Sequence, residues 1–241
     1  MNKMTFKKMK NSILNIIFTR RCGICGDVCD IRKSLCDNCE REPNRIEGKI
    51  CMRCGLEKNN CNCENNRYLF YESICAPFHY RGGAKNAVFR LKFRNRKELA
   101  ESLGEEMAKC VSERYKGYQF DVCTYMPSHK STLKERGYNP AELLAKSLSD
   151  KLNITCLPLI SKDYETAPQH QLPLYRRTGN LAGALSFNNS IISDLTDMRI
   201  LLCDDIKTSG QSLNECAQIL LFNGASEVRC VTVCIANGEN Q

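Results

Sequence analysis

Apolar residues recur along this chain in two rhythms, and each marks a different kind of element. Ala84, Ala87, Val88 and Leu91 return at helical spacing, and Leu99, Leu103, Met107, Val111 and Tyr115 follow four residues apart, so two helices are predicted between Arg81-Gly82-Gly83 and Gly117. Asn139 caps a third helix, with Pro140 at its first position, Glu142 three residues after the cap, and Leu143, Leu144 and Leu148 on its apolar face. Short apolar runs read as strands: Phe78 to Tyr80, Phe120 to Met126, Ile154 to Ile160, Arg199 to Cys203 and Val228 to Ile235. A helix to Phe222, ended by Gly224, joins the last two strands as a βαβ unit. The expected fold over residues 71–241 is α/β, a parallel sheet flanked by helices. Lys162 to Asn180 has no periodicity and reads as a long loop of the kind that carries function.

Residues 1–70 lack such rhythm and have too few aliphatics for a core of their own. Nine of the 17 cysteines fall within the first 63 residues, eight of them in pairs: Cys22 and Cys25 with Cys36 and Cys39, then Cys51 and Cys54 with Cys61 and Cys63. Two thiolates on one tight turn hold a single tetrahedral ion, and two such turns close a structural zinc site, so two zinc sites are expected. Cys29 is a spare thiol that can substitute in the second quartet. The remaining eight cysteines are spread singly, as small buried apolar residues are.

A disulfide framework would need an oxidising compartment. Met1 to Phe18 is lysine-rich with a short apolar stretch from Ile13, followed by Arg20-Arg21 and no small-residue cleavage site, so it reads as a basic amphipathic helix rather than an export signal. No segment reaches the ~18 apolar residues of a membrane span. A cytoplasmic protein is expected. Its formal charge of +8 falls to about +4 once eight thiolates bind two zinc ions.

The chemistry-bearing segment lies near the carboxyl end. There an apolar strand runs into Asp204-Asp205, then Ile206, Lys207, Thr208, Ser209, Gly210, Gln211, Ser212 and a helix start. Carboxyl ends of parallel strands are where open α/β sheets bind ligands. The loop amides, the helix amino terminus and three hydroxyls suit a phosphate monoester. Two adjacent carboxylates repel phosphate and suit a vicinal diol instead. Phosphate plus ribose diol is the predicted ligand. This stretch resembles the phosphoribosyl pyrophosphate motif of type I phosphoribosyltransferases, with Ser209 at a position usually Thr.

Two further blocks extend the resemblance. Met126-Pro127-Ser128-His129 followed by Lys134-Glu135-Arg136-Gly137-Tyr138-Asn139-Pro140-Ala141-Glu142-Leu143-Leu144 is similar to the strand, loop and helix of ComF-type proteins, with Lys134 in place of an Arg. Gln169, Leu172, Arg176, Arg177, Asn180 and Phe187 resemble their next block. With the double zinc ribbon, the likeness spans essentially the whole chain. It implies a phosphoribosyltransferase-like protein of natural competence and DNA uptake, with Mg²⁺ accompanying phosphoribosyl pyrophosphate (PRPP). Asp204 and Asp205 would orient the ribose and residues 206–212 hold the 5′-phosphate. Ser128, His129, Lys130 and Arg136 would reach the pyrophosphate, and the loop with Arg176 and Arg177 would form a lid. A competence helicase is an implied partner. The alternative is a metabolic phosphoribosyltransferase acting on a base or amine, for which no acceptor site is legible.

One stretch points to nucleic acid. No acid occurs between Glu72 and Glu98, where Arg81, Lys85, Arg90, Lys92, Arg94, Arg96 and Lys97 accumulate among Phe78, His79, Tyr80, Phe89 and Phe93. Cations that track phosphates and rings that stack bases suit single-stranded DNA. The plainer alternative places Phe89 and Phe93 in the core beneath a solvated basic face.

Overall fold

The computed structural model describes residues 20–41, 44–61, 63, 68–162 and 185–236. The expected amino-terminal helix and the expected lid with Arg176 and Arg177 lie outside these residues.

The first ribbon is a small hairpin, β1 (Arg20–Arg21) antiparallel to β2 (Val28–Cys29), followed by the one-turn helix α1 (Asp37–Glu40). The second ribbon, around Cys51 to Cys63, leads into two short strands, β3 (Ser73–Cys75) and β4 (Phe78–His79). Next come α2 (Gly82–Phe93), α3 (Leu99–Arg114), β5 (Val122–Tyr125), α4 (Lys130–Arg136), α5 (Pro140–Leu152) and β6 (Thr155–Cys156). β7 (Ile160–Lys162) and β8 (Leu185–Phe187) pair antiparallel with each other. The chain then forms β9 (Arg199–Lys207), α6 (Gln211–Phe222) and β10 (Glu227–Ile235).

The main sheet runs β3-β10-β9-β5-β6, wholly parallel, with β4 continuing the β3 edge alongside β10. β9 shows why the sheet is central. Leu201 and Cys203 face a cluster with Leu99, Leu103, Leu144 and Leu148, whereas Ile200 and Leu202 face a second cluster with Leu213, Ala217 and Leu220. A strand covered on both faces must be apolar at every position, which is the continuous run seen in the sequence. Pro77 interrupts the β3–β4 edge, where a missing N–H is tolerated. That edge is then covered by the ribbon linker, through Ile46 N to Pro77 O (3.0 Å) and His79 N to Asn44 O (2.8 Å).

Two expected strands need correction. Ile154 to Ile160 is not one strand: the chain leaves β6 before Pro158, which cannot donate to a ladder, and Ile160 pairs in another sheet. The strand expected to stop at Cys203 continues through both acids to Lys207. β10 runs beside it that far, with Thr232 opposite Asp204 and Ile235 opposite Lys207. Among the described residues, no helix is long and apolar enough to cross a membrane.

Candidate functional site

Cys22, Cys25, Cys36 and Cys39 converge, as do Cys51, Cys54, Cys61 and Cys63, the sulfurs of each set lying within 4.8 Å of one another. A tetrahedral ion with Zn–S bonds of about 2.3 Å needs sulfurs roughly 3.8 Å apart. Cys25 to Cys36 is 3.7 Å and Cys51 to Cys63 is 3.8 Å, so both quartets fit structural zinc. Both knuckles repeat one pattern: Gly26 N–H donates to Cys22 O and Gly55 N–H to Cys51 O. Cys29 is in neither quartet, its thiol turned to Lys33 O.

Each knuckle buttresses the sheet domain. Arg90 of α2 donates to the carbonyls of Ile24 and Cys25 in the first. Gly26 permits this approach, because a Cβ there would sit 2.9 Å from the Arg90 guanidinium, on a backbone already at φ +82°. From α3, Glu106 binds Ser34, Arg45 and Lys109, and Glu105 binds Arg20. Burial alone would raise the Glu106 pKa, but its bonds from Lys109, Ser34 and Arg45 outweigh that and hold it below the usual range. The second knuckle meets β3 through Ile74 N to Met52 O (2.9 Å).

At the carboxyl end of the sheet a cleft of about 330 Å³ opens, with Asp204, Asp205, Ile206 and Thr208 on one side. Ser128, Arg136, Asn139 and Pro140 line the other, and Lys92 and Phe93 close it from α2. The two acids therefore stand at the end of a central strand, against the loops that follow two strands. Lys92 Nζ lies 2.8 Å from Asp205 Oδ1, and Asp204 accepts from the Asp205 N–H at 2.7 Å. Burial, then the adjacent Asp205 charge, raise the Asp204 carboxyl well above the usual range against the pull of Lys92.

The remaining motif residues leave the cleft along the chain. Lys207 is buried, with its side chain against Gly210. Ser209, Gly210, Gln211 and Ser212 form the turn into α6, where Gly210 takes φ +75° and no acid occupies the first turn. A side chain at 210 would also press on the Tyr71 hydroxyl, 3.3 Å away, which itself donates to Arg53 O of the second knuckle. Asn139 fixes the facing wall, capping α5 through Ala141 N and donating to Met126 O at 2.9 Å. His129 caps α4 by accepting from Ser131 N and is not among the residues lining the cleft.

The basic stretch does not form one surface. Arg81, Lys85, Phe89 and Phe93 form an exposed ridge at spacing four, the two rings 46% and 61% exposed with centroids 5.2 Å apart. Arg94 lies over Phe89 and Arg136 over Phe93, at 5.9 and 5.2 Å. Arg90 belongs to the ribbon contact, Lys92 to the cleft, and Arg96 pairs with Glu98, while Lys97 covers Tyr138. Phe78 and His79 are buried, His79 against Glu57, so they are not stacking surfaces. The helical phase carried this signal: at about 100° per residue, Phe93 falls opposite Ala84 and Phe89 well off the apolar face, with Lys92 and Arg90 on opposite flanks.

Comparison with known proteins defines the class. Residues 13–76 match the double zinc ribbon domain and residues 132–241 the phosphoribosyl transferase domain, so the chain joins the two. It is 26% identical over 221 residues to competence protein F of Haemophilus influenzae, covering 88% of this chain and 95% of that protein. Competence protein ComFC of Bacillus subtilis is 28% identical over 204 residues, 80% of each chain. DNA utilization protein YhgH of Escherichia coli K12 is 26% identical over 208 residues, covering 83% and 89%. The chain thus resembles, over most of its length, relatives named for competence and DNA utilization.

Proposed function

We propose that the cleft binds phosphoribosyl pyrophosphate with Mg²⁺ and that the protein acts on single-stranded DNA in DNA uptake; its relatives are named for competence and DNA utilization. The observation that carries this reading is one cleft gathering two acids, Thr208 at the start of the hydroxyl-rich turn, and two cations from separate segments. Asp204 and Asp205 accept the ribose hydroxyls, the turn from Thr208 to Ser212 takes the 5′-phosphate, and Ser128 and Arg136 face the diphosphate. Asp205 gains a partner in the diol as Lys92 is drawn to the anion. Mg²⁺ keeps most of its water and neutralises diphosphate charge, so it needs few protein ligands. The ridge of Arg81, Lys85, Phe89 and Phe93 takes the strand, cations along phosphates and rings against bases. A cytoplasmic setting and a helicase partner are consistent with this role.

Calorimetric titration with phosphoribosyl pyrophosphate and Mg²⁺ tests the cleft: heat in the parent chain, and none after Asp204→Asn plus Asp205→Asn, is the expected result. No heat in the parent chain would refute it. Pyrophosphate release on adding a base or amine would favour the metabolic reading. Strand binding that weakens with salt and survives the acid-pair change supports the DNA role.

A further inference from the structure

The sugar-phosphate cleft and the strand-binding ridge look separate in the sequence, some forty residues intervening between Phe93 and Arg136. In the fold they share a wall. Lys92, from the basic stretch, lies inside the cleft on Asp205. Arg136, from the other block, stacks over the exposed ring of Phe93 while also lining the cleft. We propose that the two sites overlap at Phe93 and Arg136, so that a phosphoribosyl diphosphate and a single strand compete for them. This rests on the cleft and strand readings above.

The physical case has three parts. A strand lying along the ridge reaches Phe93 after Phe89, and a base stacked there must either displace the Arg136 guanidinium or draw it to the strand's own phosphate. Among the described residues the cleft is lined by two cations, Lys92 and Arg136, and a diphosphate draws on both, so Arg136 cannot serve two anions in full. The strand cannot replace the sugar ligand inside, because deoxyribose offers no vicinal diol and the Asp205 carboxylate repels its phosphates. It therefore crosses the mouth, where like charge sets it against anything anionic within.

Anisotropy of a labelled thymidine oligomer, titrated with protein at fixed Mg²⁺ and ionic strength, reads the overlap. With phosphoribosyl pyrophosphate at about ten times its own Kd, the strand's Kd should rise about tenfold and keep rising with ligand, without a plateau. Inorganic sulfate at matched ionic strength should leave it unchanged. Arg136→Ala should weaken both ligands, whereas Asp205→Asn should weaken the sugar ligand and abolish the competition while strand binding persists. If both ligands bind the unaltered chain and the strand's Kd does not move, or falls, the overlap is refuted although both parent readings stand. Equal competition by sulfate refutes it too. Failure of the oligomer alone to bind, or of the sugar ligand alone to give heat, removes the overlap together with that parent reading.

Discussion

The ribbons and the sheet domain are held together by opposite means. In the sheet, Leu144, Leu201, Leu202 and Leu220 are wholly buried and the two faces are filled with hydrocarbon. In the ribbons the buried aliphatics are few: Ile24 and Leu35 reach into the main core, and Ile46 and Leu56 pack on Ala76 and Ile235. Thiolate quartets and charged bonds from Arg90, Glu105 and Glu106 supply the rest. A region with little apolar surface to bury keeps a fixed shape only when something else removes its conformational freedom, and here that is metal. The two regions should therefore fail under different insults.

Zinc removal is the strongest test of that contrast. Structural zinc contributes about 10–16 kcal/mol in small finger peptides, so a chelator should abolish amide protection over residues 20–61 while β9 and β10 stay protected. Collapse of β9 and β10 at the same chelator concentration would show one cooperative unit instead. The next largest effect is expected at the seam. Glu106→Ala strands Arg45 and Ser34 and should cost about 3–5 kcal/mol, read as a lowered denaturant midpoint. The same contact gives a pH signature. Because the folded pKa of Glu106 lies below its unfolded value of about 4.3, its contribution is complete above that value and is lost as acidification passes the folded one. Docking that is indifferent to acid in this range would contradict it. Smallest, and confined to the sheet domain, is Asn139→Ala, which removes a helix cap worth about 1 kcal/mol and should leave zinc content unchanged.

Much of the fold could be read from periodicity because β9 and β10 are covered on both faces and α3 and α5 on one. What the rhythm concealed was where strands stop. Nothing in Asp204-Asp205 signals that a neighbouring strand keeps pairing beside them, and Pro158 in an apolar run was read through. The quartets were legible because thiolate spacing is local. The cleft was legible only in part, since Lys92, expected with the basic stretch, lines it, and Arg136, expected in it, also reaches over Phe93. Phe89 and Phe93 could have been placed outside by carrying the helical phase of α2 one turn further.

Arg90 and Lys92 occupy one turn of α2, two residues apart, one hand on the sulfur knuckle and the other on Asp205 in the cleft. Natural variation that slackens the knuckle must therefore shift the ammonium that tunes the pocket. The module that looks like an appendage is, in inheritance as in mechanics, tied to the pocket it braces.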